Sequence, residues 1–196
     1  ADSSANPSWV AADLLAQARS GVTWRSGARD SPPFAIGGYF TDVMAGSLLV
    51  QGILAAVVHA RATGQGAHVE TSLIEAAMEL QVDSFLMALH CPQTLMGRSR
   101  SGIGGNPDSP APYGVYPTAD GHIAVSLLPP AVLADLLGDT APPPDTALEP
   151  EQLRDRLLEA LAEVFRRQPT AYWIERLIPV GGWVAEVLNW EQLAKS

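Results

Sequence analysis

Cysteine is almost missing from these 196 residues. Cys91 stands alone, so no disulfide closes within the chain, and an unpaired thiol fits a reducing compartment. The expected location is cytoplasmic, with Cys91 as a small buried hydrophobe. Positive charge is also scarce: 12 Lys and Arg face 21 Asp and Glu, a formal net charge of −9. The basic residues are scattered, with a short run at Arg98 and Arg100. A nucleic-acid backbone needs a basic face that this chain does not have, which excludes DNA and RNA as main partners. Metal-ligand spacing is missing as well. His59, His68, His90 and His122 lie far apart and no Cys-x-x-Cys occurs, so no metal is expected. Neither Gly-x-Ser-x-Gly nor Gly-x-x-x-x-Gly-Lys-Ser/Thr is present, which removes the nucleophile elbow and the phosphate loop from consideration.

Long apolar runs are represented by one stretch, Val43–Ala60. It carries Gln51 at its middle, Gly46 and Gly52, and His59, features of a helix buried on most sides within a protein and not of a membrane span. No membrane partner is expected. The chain opens on Ala1 with the loose stretch ADSSANPS, which reads as a processed start or as a piece of something longer.

What is present is globular. Hydrophobic residues make up 47% and charged residues 17%, and the length allows one domain, or parts of two, with a real core. Trp9–Arg19 has helical spacing, and Gly21 stops it. Residues 26–39, dense in Gly, Pro and Ser, form a loop that delivers the chain to Thr41 and Asp42. Either of those side chains suits the cap of a helix that runs on to Arg61. A short strand is expected over 68–71, then one helix from Ser72 through His90, with Glu75 at capping-box spacing. Tyr113–Pro117 and Ile123–Leu127 flank Asp120-Gly121, the signature of a hairpin. Helices follow over 131–137, 151–167 and 170–177, with Pro142, Pro143 and Pro144 as a stiff spacer. Residues 181–187 read as a strand ahead of a last helical stretch, 190–195.

Asp42 is the residue on which chemistry can rest. It follows a loop, begins a helix, and has small or apolar neighbours in Tyr39, Phe40, Val43, Ala45 and Gly46. A carboxylate there gains from the helix dipole and the free N–H groups, and small neighbours leave room for a ligand. On residues alone it is a cap or a reacting group, and both readings stand. The stretch Gly102-Ile103-Gly104-Gly105-Asn106 is likewise a linker or a ligand loop.

The run from Asp42 to Ala77, DVMAGSLLVQGILAAVVHARATGQGAHVETSLIEAA, resembles the signature of the class III coenzyme A transferases, a CaiB/BaiF-like family that also holds the α-methylacyl-CoA racemases. The likeness continues before it in Asp13-Leu14-Leu15-Ala16-Gln17-Ala18, after it in Ala111-Pro112-Tyr113-Gly114-Val115-Tyr116-Pro117, and near the end in Tyr172–Leu177 and Val184–Val187. It implies an α/β fold, α+β for this stretch of chain. Residues 1–91 would be part of a large catalytic domain carrying the nucleophile helix, and 92–111 a glycine-rich linker. Residues 112–180 would be a small α+β domain with a β-hairpin, and 181–196 a return toward the large domain.

The implied activity is transfer of CoA from an acyl-CoA to a small carboxylic acid, with no permanently bound cofactor and the CoA thioester as substrate. Asp42 matches the family's nucleophile, which forms a mixed anhydride and then an aspartyl-CoA thioester, a covalent relay that divides one hard exchange into easier steps. Gly104, Gly105 and Asn106 match a glycine loop that closes over the intermediate and excludes water. Gln17 is either pocket lining or a surface helix residue. Racemases of the family need a second base, and the matching positions here are Ala12 and Pro129, which favours transferase over racemase or lyase. Family members are longer and begin with a Rossmann-like half to which nothing here corresponds. The implied partner is a second copy in an interlocked dimer, or a complementary chain or domain; a non-catalytic structural module is the alternative from another class.

Overall fold

The structure is a computed structural model that describes residues 12–92, 97–141 and 148–196. The expectations for residues 9–11 and for the 142–144 spacer lie outside the described residues. The chain divides into two compact units, Ala1–Ser26 with Pro32–Leu95, and Gly27–Ser31 with Met96–Ser196.

The first unit is helical: α1 (Asp13–Ser20), α2 (Val22–Arg25), α3 (Phe40–Thr63), α4 (Leu73–Glu79) and α5 (Val82–His90). Gly21 ends α1 at φ 89°, a left-handed turn that glycine takes without strain. The capping box at Ser72 forms, with the Glu75 amide donating to Ser72 Oγ at 3.2 Å and the Ser72 amide donating to Glu75 Oε2 at 2.9 Å. The single helix expected over 72–90 is broken at Leu80 and Gln81, where Gln81 Nε2 donates to the Ser20 carbonyl at 2.6 Å and ties the break to the end of α1. The strand expected over 68–71 is extended chain without a strand partner among the described residues. α4 packs on both α1 and α3. Among the described residues, the unit's buried apolar side chains are Ala16, Ala45, Ala76 and Ala77, small enough to let helix axes approach closely.

The long helix α3 departs most from expectation. Instead of burial on most sides, only Thr41 and Ala45 are buried along its 24 residues. Val43, Val50, Leu54 and Val58 form an exposed stripe. The physical reason is that, among the described residues, its main packing partners are α1 and α4, with Val69 of the following extended segment against Gly52. Among the described residues it is also the one helix long and apolar enough to cross a membrane, by length and composition. Cys91, expected to be buried, is exposed just after α5.

The second unit holds an antiparallel sheet in the order β1 (Gly114–Pro117), β2 (His122–Leu127), β3 (Trp183–Glu186). Its helices are α6 (Pro130–Leu137), α7 (Pro150–Phe165), α8 (Thr170–Leu177) and the short α9 (Trp190–Leu193). The hairpin falls where the Asp-Gly pair places it, with Thr118 N donating to Gly121 O at 2.9 Å. Residues 183–186, expected to lead back toward the large domain, extend this sheet as its third strand. Tyr116, Ile123 and Val125 from the sheet and Leu158, Leu161 and Phe165 from α7 are almost fully buried. Trp173 stands edge-on to Phe165 at 5.1 Å between ring centres and donates its indole N–H to the Phe165 carbonyl at 2.8 Å. Burial pushes the Tyr116 hydroxyl pKa up, and that hydroxyl donates to the Pro112 carbonyl at 2.7 Å.

Candidate active site

Asp42 sits in the first turn of α3, exposed to solvent and beside Phe40 and Val43, which are also exposed. Its carboxylate was one of two candidate caps for this helix, but the cap comes from elsewhere. The residue at the cap position is Tyr39, which offers no side-chain hydrogen bond. Instead Asp13, at the start of α1, turns its carboxylate onto the helix end. Asp13 Oδ1 accepts from the Thr41 amide at 2.8 Å, the Thr41 hydroxyl at 2.5 Å and the Asp42 amide at 3.3 Å. A carboxylate at a helix N-terminus satisfies orphan amides and complements the dipole. Because Asp13 does this, the Asp42 side chain is left out of the helix's own hydrogen bonding.

Gln17 completes the arrangement. It is 1% exposed, and Nε2 donates to Asp13 Oδ2 at 2.5 Å and to the Gly38 carbonyl at 3.3 Å, while Oε1 accepts from the Ile36 amide at 2.9 Å. Its amide therefore grips the loop that enters α3 and orients Asp13 in one stroke. Burial alone would raise the Asp13 pKa, but the bonds from Thr41, Gln17 and the Asp42 amide together bring it below its ordinary value. Asp13 was visible in sequence only as part of the family likeness. Its capping role links residues 28 positions apart and has no local signal.

Gly104, Gly105 and Asn106 lie in the second unit, and the glycine stretch is not a free linker. Gly104 bridges to Gly114 at the start of β1, and the Gly105 amide donates to the Tyr113 carbonyl at 3.3 Å. A Cβ on Gly114 would stand 2.6 Å from the Ile103 carbonyl oxygen, so only glycine permits this approach. Asn106 Oδ1 accepts from the Asp108 amide at 3.0 Å, closing an Asx turn. Gly105 and Tyr113 border an apolar groove of about 440 Å³ on the sheet, with Val115, Ala124, Ala185 and Trp183 in its lining.

An ionic cluster on α7 had not been anticipated. Asp155, 5% exposed, accepts from Arg29 and from Arg154, and Arg29 also reaches Glu151. A signal existed: Arg154 falls one turn before Leu158 on the apolar stripe of α7, where a charge is out of place. Among the described residues no group of three or more His, Cys, Asp or Glu is placed to hold a metal ion.

The fold, a helical unit followed by a three-stranded α+β unit, is shared with solved CaiB/BaiF-family structures. A family member from Brucella suis superposes with a TM-score of 0.71 at 20% identity, covering 94% of this chain and 49% of that one. Rv3272 from Mycobacterium tuberculosis gives 0.71 at 22% identity, over 96% of this chain and 50% of that one. The chain belongs to CoA-transferase family III, whose sequence model matches residues 2–196. It is 28% identical to an acetyl-CoA:oxalate CoA-transferase of Acetobacter aceti, over 95% of this chain and 50% of that protein. It is 32% identical to a succinyl-CoA:mesaconate CoA-transferase of Haloarcula hispanica, over 58% of this chain and 28% of that protein. The chain thus spans half the length, or less, of these relatives.

Proposed function

We propose that this chain is the nucleophile-bearing part of a CoA-transferase, acting on an acyl-CoA and a small carboxylic acid through Asp42. The observation that carries the reading is that Asp13 takes over the capping of α3 and leaves an exposed carboxylate in its first turn. In the proposed course an Asp42 oxygen attacks the thioester carbonyl, the C–S bond breaks, and CoA thiolate leaves a mixed anhydride. The thiolate then attacks the Asp42 carbonyl, releasing the donor acid and forming aspartyl-CoA. The acceptor carboxylate attacks in turn, thiolate leaves again, and its attack on the acceptor carbonyl of the second anhydride yields the new thioester and free Asp42. CoA enters and leaves as part of a substrate, with no resident cofactor. Gly104, Gly105 and Asn106 are proposed to border the bound thioester, and Gln17 to act by holding the entry loop of α3.

The remaining half of the family fold, on the same polypeptide or on another chain, is proposed to cover the exposed stripe of α3 and to supply most contacts to the CoA nucleotide. A homodimer and a cytoplasmic location belong to the same reading, the latter on the single thiol Cys91. The racemase alternative finds no base at Ala12 or Pro129, which cap α1 and α6.

The test is intact-mass spectrometry of the complete assembly with a panel of acyl-CoAs, followed by hydroxylamine. A hydroxamate mapped to Asp42, and lost in Asp42→Asn, is the expected outcome. An assembly that binds no CoA, forms no adduct and is unaffected by Asp42→Asn would instead be using this chain as a structural module.

A further inference from the structure

We propose that the outer face of the second unit's sheet is a binding trough for an uncharged apolar carbon chain of the kind an acyl group carries; where that chain belongs to a thioester, the proposal rests on the CoA-transfer reading above. Every residue of the trough belongs to the second unit. On its inner face the sheet sends Tyr116, Ile123 and Val125 into the core. On the outer face Val115, Ala124 and Ala185 form one cross-strand row, with Val115 opposite Ala124 and Ala124 opposite Ala185. An antiparallel sheet whose second face meets water ordinarily places polar residues there, and this row has none. Alanine is also depleted in strands, where larger side chains pack better against their neighbours. What the alanine pair provides is depth.

Tyr113, just before β1, and Trp183, the first residue of β3, stand at the same end of the sheet on either side of β2, 40% and 65% exposed. A Cβ on Gly105 would lie 2.9 Å from Tyr113 Cε1, so the tyrosine ring lies close over that glycine and walls the trough there. Between the two aromatics and the alanine floor lies the groove of about 440 Å³, within the range of about 300–1,000 Å³ found for small-molecule sites. Among the described residues none that lines it carries a charge, and its polar side-chain groups are the Tyr113 and Ser126 hydroxyls and the Trp183 indole N–H. Ser126 is the extra residue between the pairs Val125–Val184 and Leu127–Trp183, a bulge of the kind that re-aims side chains. A carboxylate or phosphate would find no ionic partner in the trough, so the charged end of an occupant lies outside it. A protein layer packed on a sheet face interdigitates with side chains of comparable size. A floor of paired alanines between two aromatics fits a single run of methylenes instead.

The experiment uses the complete protein, the probes CoA, butyryl-CoA, octanoyl-CoA and n-octanol, and the variants Ala185→Leu and Trp183→Ala. In wild type, affinity should rise about two- to fourfold per methylene from butyryl-CoA to octanoyl-CoA. Hydroxyl-radical footprinting should find Trp183 reactive without ligand and protected by octanoyl-CoA or n-octanol. In Ala185→Leu, which fills the floor, the chain-length increment should vanish while CoA affinity holds. Should that variant fail to fold, Trp183→Ala removes a wall and is read in the same way. Competition separates two sources of the chain. If n-octanol displaces octanoyl-CoA, the trough holds the acyl chain of the thioester; if it binds through Ala185 without displacing it, the trough holds a free apolar molecule. Equal affinity for the two acyl-CoAs with no binding of n-octanol, or a chain-length preference that survives both substitutions, overturns the proposal. So does a Trp183 already protected in the unliganded protein, which would show the face covered by another part of the assembly. Octanol bound at Ala185 with no adduct at Asp42 would overturn the CoA-transfer reading and leave the trough standing.

Discussion

Two aspartates cap helices that begin far from them in sequence. Asp13 serves α3, and Asp120 in the hairpin turn serves α8, accepting from the Thr170 amide at 2.8 Å and its hydroxyl at 3.0 Å. In both cases the neighbour at the helix start cannot cap: Tyr39 offers no side-chain bond and Pro169 has no side-chain polar group. Asp13→Asn tests the first of these. The amide NH2 that replaces Oδ2 would face the NH2 of Gln17, and turning Gln17 to relieve the conflict would give up its bond from the Ile36 amide. The expected cost is about 1–3 kcal/mol, read by urea denaturation. Because the Asp13 pKa is lowered in the fold, its contribution is present above the ordinary carboxylate value of about 3.9 and is lost as pH falls through the folded value. The stability difference between wild type and Asp13→Asn should therefore hold from neutral pH to about pH 4 and shrink below it, measured by acid titration of helicity. Local reading singled out Asp42 as a cap or a reacting group, because a lone carboxylate at a helix start after a loop is visible in the chain. It did not find what frees that carboxylate, because long-range caps leave no pattern in neighbouring residues.

At the scale of elements, periodicity and turn chemistry were enough wherever one face of an element meets a core. The hairpin around Asp120-Gly121, the Ser72 capping box, and helices α6, α7 and α8 all lie within a few residues of their expected spans. Expectations missed where a distant segment intervenes, as at Gln81, whose bond to Ser20 breaks the helix expected over 72–90. The extended chain after α3 is a further case. A Cβ on Gly52, in mid-helix, would stand 2.6 Å from Val69 Cγ1. Alanine in place of a helical glycine ordinarily stabilises by about 0.5–1 kcal/mol. Val69 is β-branched and stiff at χ1, so here the sign should reverse, with Gly52→Ala losing about 1–3 kcal/mol from overpacking. Adding Val69→Ala should remove the clash and bring stability back to or above that of Val69→Ala alone. Thermal melts of the four chains decide it, and equal melts for wild type and Gly52→Ala would show that the extended segment yields.

Across the whole molecule the apolar residues are unevenly employed. Among the described residues, the second unit buries Tyr116, Phe165, Trp173, Leu158, Leu161 and Ile123, whereas the buried apolar side chains of the first are alanines. Burial of large side chains is the main favourable term in folding, so the second unit carries its own stability and the first has little. Leu161→Ala should accordingly cost the second unit about 2–5 kcal/mol. In the first unit, Val50, Leu54 and Val58 are 55%, 60% and 68% exposed, so Leu54→Lys with Val58→Lys should leave the melting of the isolated chain within about 0.5 kcal/mol of wild type, as surface changes do. In the complete transferase the same pair would place two ammonium groups against the cover proposed for α3, and a buried unpaired charge costs several kcal/mol. The expected result is therefore a split: lysines tolerated in the isolated chain, with less binding of a hydrophobic dye, and assembly and transfer lost in the complete protein. Hydrogen exchange follows the same logic, with the amides of α3 and α4 exchanging faster than those of α7 in the isolated chain and slowing when the rest of the fold is present. Full activity of the doubly substituted assembly would mean that the stripe on α3 faces water there, and that the cover proposed for α3 does not lie on it.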